Sequence, residues 1–382
     1  MAILVAGGAG YIGSHAARAL RRSGYEVVLY DNLSTGFRRL AQGFELVEGD
    51  IADEAKLRPV LARVDAVMHF AAHAYIGESV ENPRKYFRNN VAGALSLLNS
   101  TLDAGIRRFV FSSTCAVYGI PGQIRIKQGP ITVPSKQVQI EVPIKQAQIT
   151  EQTPREPVNP YGASKLFFEN ALEAYSRAYG LRSMSLRYFN AAGADECGET
   201  GELHDPETHL IPLALAASTA AGRELLVYGS DYPTPDGTCV RDYIHVSDLA
   251  DAHVRALQHL EKDSDQEGGG SLAINLGTGR GHSVLEVIQA AENATGRPVR
   301  RKMGPRRTGD PPVLVADPAK AQRVLGWTAK RNFSDIVSSA WMWMEKFVIG
   351  EPRLPITNLC GRQSRRSRPT ELQSRKRQRL RP

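Results

Sequence analysis

Tyr161 and Lys165 stand four residues apart in the run 159–180, NPYGASKLFFENALEAYSRAYG. Pro160 suits the first turn of a helix, and a separation of four then brings the phenol and the ammonium onto one helix face. A free phenol titrates near about 10, too high for a base at neutral pH. A neighbouring cation stabilises the phenolate and draws that value toward the working range. The chemistry expected is therefore proton transfer at a hydroxyl. A lone YxxxK also arises as a plain surface pair. It gains specificity from Thr114 in FSSTCAVYG, 111–119, whose hydroxyl could serve a sugar hydroxyl or simply cap a strand end.

A second constellation lies at the amino terminus, where ILVAG runs into Gly7-Gly8-Ala9-Gly10-Tyr11-Ile12-Gly13 and then a helical stretch. Gly7 permits a tight turn, Gly10 lets backbone approach a pyrophosphate, and Gly13 allows helix and strand to pack closely. The free N–H groups and positive end of the helix attract the phosphates. Asp31 closes the next apolar run, EVVLYD. A carboxylate there accepts both adenosine ribose hydroxyls and repels a 2′-phosphate, which points to NAD rather than NADP. Asp50-Ile51, after a third run, reads either as an adenine-edge contact or as a capping Asp.

These residues require a scaffold that alternates strand and helix. Short apolar runs (AILVAG, EVVLYD, FELVEGD, AVMHFAA, RRFVFSST) are separated by amphipathic stretches, which implies βαβ units around a parallel sheet. The expected fold is α/β, a Rossmann-type doubly wound parallel sheet with a smaller α/β substrate-binding domain. The sheet domain is expected over 1–187 and the smaller one over 188–350, where Gly/Pro-rich loops such as DYPTPDGTCVRDY lengthen. Residues 121–149 carry an imperfect repeat, PSKQVQI and PIKQAQI, and read as an inserted surface excursion.

The chain has 382 residues and a net charge of +8. All of that excess falls in 351–382, which hold ten Lys/Arg and two Asp/Glu; the first 350 residues are balanced. The tail is expected to be disordered. Its arginines lack interleaved aromatics, so no specific nucleic-acid partner is expected. No apolar run is long enough to span a bilayer, and no signal peptide precedes the first strand. Four widely spaced cysteines without a CxxC pair suggest a cytoplasmic protein with neither a disulfide framework nor a zinc site, and no metal is expected.

In order and spacing, GGAGYIG, DNLS, HFAA, GES, NNV, SST with VYG, NPYGASK, RYFN, VRDYIHV, NLGTG and RRTGD resemble the extended short-chain dehydrogenase/reductase superfamily. Within it the chain is similar to the UDP-glucose 4-epimerases from residue 1 to about 345, outside the insertion. The resemblance implies NAD held tightly against the sheet, a UDP-sugar clamped by the smaller domain, and a homodimer. Tyr161 would take the proton from the sugar C4 hydroxyl, Thr114 would contact that hydroxyl, and Lys165 would hold the nicotinamide ribose. The implied cofactor contacts are Gly7, Gly10, Tyr11, Ile12, Gly13, Asp31, Asn32, Asp50, Ile51, Phe70, Ala71, Ala72, Asn89 and Tyr188, besides Tyr161 and Lys165. The implied UDP-sugar contacts, besides Thr114, are Asn190, Arg241 and Arg307 on the diphosphate and Asp310 near the uridine ribose. Tyr228 would pack on uracil, or is a core aromatic, and His209 and Leu210 lie beside the base.

The resemblance implies interconversion of UDP-glucose and UDP-galactose through a 4-keto sugar, with no net redox change. UDP-pentoses and UDP-N-acetylhexosamines are alternatives, because Ala74 replaces a common lysine and Leu314 lies near the position that gates sugar size. A sugar-nucleotide 4,6-dehydratase would need an acidic pair after its Thr, and Cys115-Ala116 stand there instead. A non-catalytic NAD-sensing regulator typically lacks the Tyr or the Lys, and both are present.

Overall fold

The computed structural model describes residues 1–121, 148–219, 224–262, 270–307 and 309–349. Strands β1 (Ala2–Ala6), β2 (Glu26–Asp31), β3 (Glu45–Glu48) and β4 (Ala66–His69) alternate with α1 (Tyr11–Arg22) and α2 (Glu54–Leu61). After α3 (Ile76–Glu81), α4 (Pro83–Phe87) and α5 (Ala94–Asp103) come β5 (Arg108–Thr114), α6 (Pro160–Tyr179) and β6 (Arg182–Tyr188). The remainder runs β7 (Asn190–Ala192), α7 (Leu210–Ala217), β8 (Leu225–Tyr228), β9 (Val240–His245), α8 (Val246–Glu261) and β10 (Ser271–Leu276). It ends with β11 (Gly281–Ser283), α9 (Val284–Thr295), β12 (Arg301–Gly304), β13 (Val313–Leu314), α10 (Ala319–Leu325) and α11 (Phe333–Met344).

Seven strands in the order β10-β6-β5-β4-β1-β2-β3 form one wholly parallel sheet. The order reverses at β1/β4, so ligands are expected beyond the carboxyl ends of the strands there. Alternate side chains serve opposite faces. Ile3, Val5, Leu29, Met68 and Val110 pack with residues of α1 and α8, while Leu4, Val28, Val67 and Phe109 pack with residues of α2, α5 and α6. A smaller body combines a mixed sheet (β11-β9-β13, with β7 on β9), the parallel pair β12-β8, and a core from α7, α9 and α11.

Two expected boundaries move. The nucleotide layer does not stop at 187: β10 pairs in register with β6, and Leu249 and Leu257 of α8 join the same core as Ala17 and Leu20 of α1. A local apolar pattern cannot say which sheet a strand will join, so the return of 246–276 was hidden. The insertion expected over 121–149 does not reach 149 as a surface segment. Ile149 is buried, bridges to Ala316, and exchanges backbone hydrogen bonds with Val315 and Asp317. Both repeat copies otherwise lie outside the described residues, as does the 351–382 tail.

A buried ion pair ties the layers together. Arg187 of β6 binds Glu169 of α6 through Nη2–Oε2 (2.6 Å) and Nε–Oε1 (2.9 Å). Ser113 of β5 donates to the same carboxylate, and Arg187 Nη1 reaches the Tyr118 hydroxyl at 2.9 Å. Tyr118 donates onward to Asn275 of β10 at 2.6 Å, and Asn275 donates to the carbonyl of Ile149. Glu169→Ala would leave the Arg187 guanidinium charged and buried alone, with an expected cost of about 3–5 kcal/mol. Urea unfolding of the two proteins measures it, and a difference below about 1 kcal/mol would refute the pair's structural role.

Candidate active site

Parallel strands bring five chain segments to one edge. Gly7 follows β1, Asp31 ends β2, Phe70 follows β4, Thr114 ends β5 and Tyr188 ends β6. The glycine turn is closed by contacts that no side chain could share. Gly7 has φ +81°, and a Cβ there would meet Ala71 N at 2.4 Å; one at Gly13 would meet Gly7 O at 2.2 Å. A Cβ on Gly10 would meet only Gly7 O, at 3.3 Å, so its outer side is open. Gly10 precedes α1 without a side-chain cap, and no carboxylate occupies the first turn. The N–H groups there remain for an anion. Buried Asp31 accepts from Ala9 N (2.9 Å) and Leu33 N (2.8 Å), which leaves carboxylate lone pairs for a diol. These features fit a dinucleotide.

The other expected cofactor contacts divide. The phenol of Tyr11 is turned away, donating to Gly193 O at 2.6 Å, so only its backbone faces the loop. Asp50 accepts from Ala52 N (2.9 Å) and Asn32 Nδ2 (3.0 Å) in the turn after β3, which leaves carboxylate lone pairs, while Asp53 caps α2. Ile51 is buried in the sheet core and Ile12 packs against the opposite face. Phe70 lies 4.8 Å from the His253 ring, Ala71 closes on Gly7, and Ala72 is half-buried. Asn89 donates to Asn90, whose amide bonds His73 and Ser164.

Helix α6 starts where Asn159 Oδ1 accepts from Gly162 N at 2.8 Å, and this fixes Tyr161 in its first turn. Thr114 caps the turn after β5, accepting from Ala116 N at 3.1 Å, and its side chain lies beside Tyr161. Lys165 Nζ donates to the Ser112 carbonyl at 2.7 Å and lies 6.0 Å from the Tyr161 ring centroid. Tyr188 shares a hydrogen bond with the Ser112 hydroxyl. Burial pushes the Tyr161 phenol well above its ordinary range, with Tyr188 adding to it and the Thr114 side chain opposing. Burial likewise lowers Lys165 to about 7, against the pull of Glu169. The drop expected for Tyr161 from an adjacent ammonium and a positive nicotinamide ring is thus opposed by burial, which disfavours a phenolate.

Across the edge, Arg241 on β9 forms an ion pair with Asp310 and donates to its neighbour's carbonyl, Val240 O, at 2.8 Å. Asn190 opens β7, which pairs with β9 one strand over. The Arg307 guanidinium stacks 4.1 Å from the centroid of the Tyr228 ring. Arg307 and Asp310 line a cleft of about 310 Å³ together with Tyr232 and Arg306. Sequence reasoning did not single out those last two, although Arg306 stands beside Arg307 in the same motif. Leu210 begins α7 and His209 precedes it, its ring nitrogen bound by Glu207 at 2.8 Å. Glu202 and Glu207 hold that imidazole as a cation, pushing its pKa up to about 10. Ser112, Ser113 and Glu169 were also missed; the FSST run and the turn after Lys165 were their only signals.

A parallel sheet of this order, a glycine cradle and a Thr/Tyr/Lys group on one edge define a nucleotide-dependent enzyme, and the chain belongs to the NAD dependent epimerase/dehydratase family, whose model matches residues 3–277. It is similar to the UDP-glucose 4-epimerase of Rhizobium meliloti, 48% identical over 343 residues, covering 89% of this chain and 96% of that one. Among solved structures it resembles UDP-glucose 4-epimerase from Brucella ovis in complex with NAD, with 48% identity and a TM-score of 0.79 over 90% of this chain and 98% of that one. The Bifidobacterium longum enzyme in complex with NAD+ and UDP is 37% identical, with a TM-score of 0.80 over 92% of this chain and all of that one.

Gly13→Ala puts a methyl against the Gly7 carbonyl, an overpacking that costs about 1–3 kcal/mol. The variant is expected to purify with less NAD per chain and to melt earlier. Unchanged NAD content by absorbance after denaturation would remove Gly13 from the cradle.

Proposed function

We propose that this chain is a UDP-glucose 4-epimerase, an isomerase that interconverts UDP-glucose and UDP-galactose by inverting C4. The observation that carries this reading is the placement of Thr114, Tyr161 and Lys165 together on the sheet edge that also bears the glycine cradle. Gly7, Gly10 and Gly13 with Asp31 would hold NAD, which supplies a hydride acceptor and donor for C4 and a positive ring in its oxidised form. Tyr161 accepts the proton of the C4 hydroxyl and returns it after the sugar has turned. Thr114 orients that hydroxyl, and Lys165 supports the phenolate while holding the cofactor ribose. Because burial alone raises the phenol, the base form depends on both nearby cations.

Arg241 and Arg307 would grip the diphosphate, where guanidiniums form strong paired hydrogen bonds. Asn190 would assist them, and Tyr228 would stack on uracil beside His209 and Leu210, with Asp310 at the ribose. The UDP held by the Bifidobacterium longum relative supports this handle. Anchoring at the diphosphate leaves the sugar free to rotate. An elimination instead of an inversion lacks its acid, since burial raises the Cys115 thiol to about 12.

The two functional halves are proposed as 1–187 plus the returning 246–276, and the intervening and following residues. We also place the protein in the cytoplasm; no helix of the described residues is long and apolar enough to cross a membrane. A homodimer is proposed on the exposed apolar side chains Ile76, Val80, Phe87 and Phe167 of the adjoining helices α3, α4 and α6. Light scattering is expected to return twice the chain mass; a monomer at micromolar concentration would overturn the dimer.

Purified protein given UDP-galactose is expected to form UDP-glucose, with UDP-xylose and UDP-N-acetylglucosamine run in parallel to fix the sugar class. Absence of C4 inversion in all three, with NAD bound, would sink the proposal. Tyr161→Phe is expected to lose about 10²–10⁴ in turnover and to keep its NAD. Wild-type turnover in that variant would strip Tyr161 of its role.

A further inference from the structure

Between α1 and α7 lies a side-chain group that, His209 beside the uracil apart, has no part in C4 inversion. Glu202, His204, Glu207 and His209 occupy the run leading into α7, and one nitrogen of each imidazole and one oxygen of each carboxylate lie within 4.8 Å of one another. His209 Nδ1 is 3.0 Å from Glu202 Oε1 and 2.8 Å from Glu207 Oε1. His204 Nδ1 is 3.3 Å from Glu202 Oε1 and 3.5 Å from Glu207 Oε2. Four ligands at about 2.0–2.2 Å from a tetrahedral ion stand roughly 3.4 Å apart along each edge. The four His–Glu separations, 2.8–3.5 Å, lie at or a little below that value, and the whole group spans no more than 4.8 Å.

Hydrogen bonding does not account for the whole group. The Glu202 side chain is only 6% exposed, yet its Oε1 has no hydrogen-bond partner of acceptable geometry among the described residues. Neither has His204 Nδ1, which faces it. An oxygen buried this way costs free energy unless something else satisfies it. Both atoms point into the space shared with Glu207 and His209.

We propose that Glu202, His204, Glu207 and His209 bind one divalent transition-metal ion of the zinc type in a closed, structural site. Two carboxylates neutralise its charge, and two imidazoles, which release any ring proton from the ligating nitrogen as the ion binds, favour zinc or its neighbours over magnesium or calcium, which prefer all-oxygen sets. Aromatic walls stand on two sides: the Tyr11 and Tyr75 rings each lie 6.1 Å from His204, edge-on. Tyr11 belongs to the glycine turn and donates to Gly193 O, so the ion would fasten the 202–209 run to the cofactor loop. His209, the most exposed of the four, leaves a path for the ion.

The test uses full-length, untagged, NAD-loaded protein. Elemental analysis is expected to find about one zinc-class ion per chain, or the chelator-treated protein to take up one equivalent of cobalt(II) with the visible absorption of tetrahedral coordination. Zinc at a hundredfold above its dissociation constant is expected to raise the melting temperature by roughly 5 °C. Glu202→Gln and His204→Ala are each expected to lose the band and the shift. If wild-type protein binds no equivalent and shows no band, the site is refuted, whatever the variants do. Retention of both signals in both variants would refute it equally, by moving the metal elsewhere.

Discussion

The buried pair of Arg187 and Glu169 sets the geometry on which the active site depends. Removing two charges from water is costly and is offset only when bonding is complete. Here the carboxylate receives two guanidinium nitrogens and the Ser113 hydroxyl, while the third guanidinium nitrogen has Tyr118. Three residues of the candidate site are a short step along the chain from this knot. Thr114 follows Ser113, Tyr188 follows Arg187, and Lys165 precedes Glu169 by one helical turn. A shift of α6 against β5 or β6 would break the pair before it misplaced Tyr161. Glu169 also favours the charged form of Lys165, which burial opposes.

Electrostatics in the site are arranged around neutrality. Burial drives Tyr161 and Lys165 toward their uncharged forms. On the facing side, Arg241 is paired with Asp310 and Arg307 is stacked on Tyr228. These cations are held at fixed places without a long-range positive field, in agreement with a body whose first 350 residues carry no net charge.

The parallel sheet was legible because buried strands and amphipathic helices alternate with short connections, and the glycine turn because its spacing has a steric cause. Tyr161, Lys165, Thr114 and Asp31 were legible because their types suit one chemistry at one spacing. Contacts between distant segments were not. Nothing local marks β10 as the partner of β6, or Asp310 as the partner of Arg241, 69 residues apart in the chain. Asp50 and Tyr11 show the same limit: a motif places the residue, and not the partners of its side chain, which are Asn32 and Ala52 or Gly193. The convergence of Glu202, His204, Glu207 and His209 was equally hidden, since no regular ligand spacing announces it.

The return of β10 to the edge of the large sheet has a consequence for biosynthesis. Its partner β6 is complete at Tyr188, but Ser271–Leu276 leave the ribosome more than eighty residues later. Until then β6 carries an open edge of unpaired backbone groups and an uncovered flank, the kind of surface that invites wrong pairing. The large-sheet layer therefore cannot fold first as a finished unit with the smaller body added afterwards. The halves are interlaced, and folding to the cofactor-binding state waits on a non-local contact, which slows it and makes it a single event.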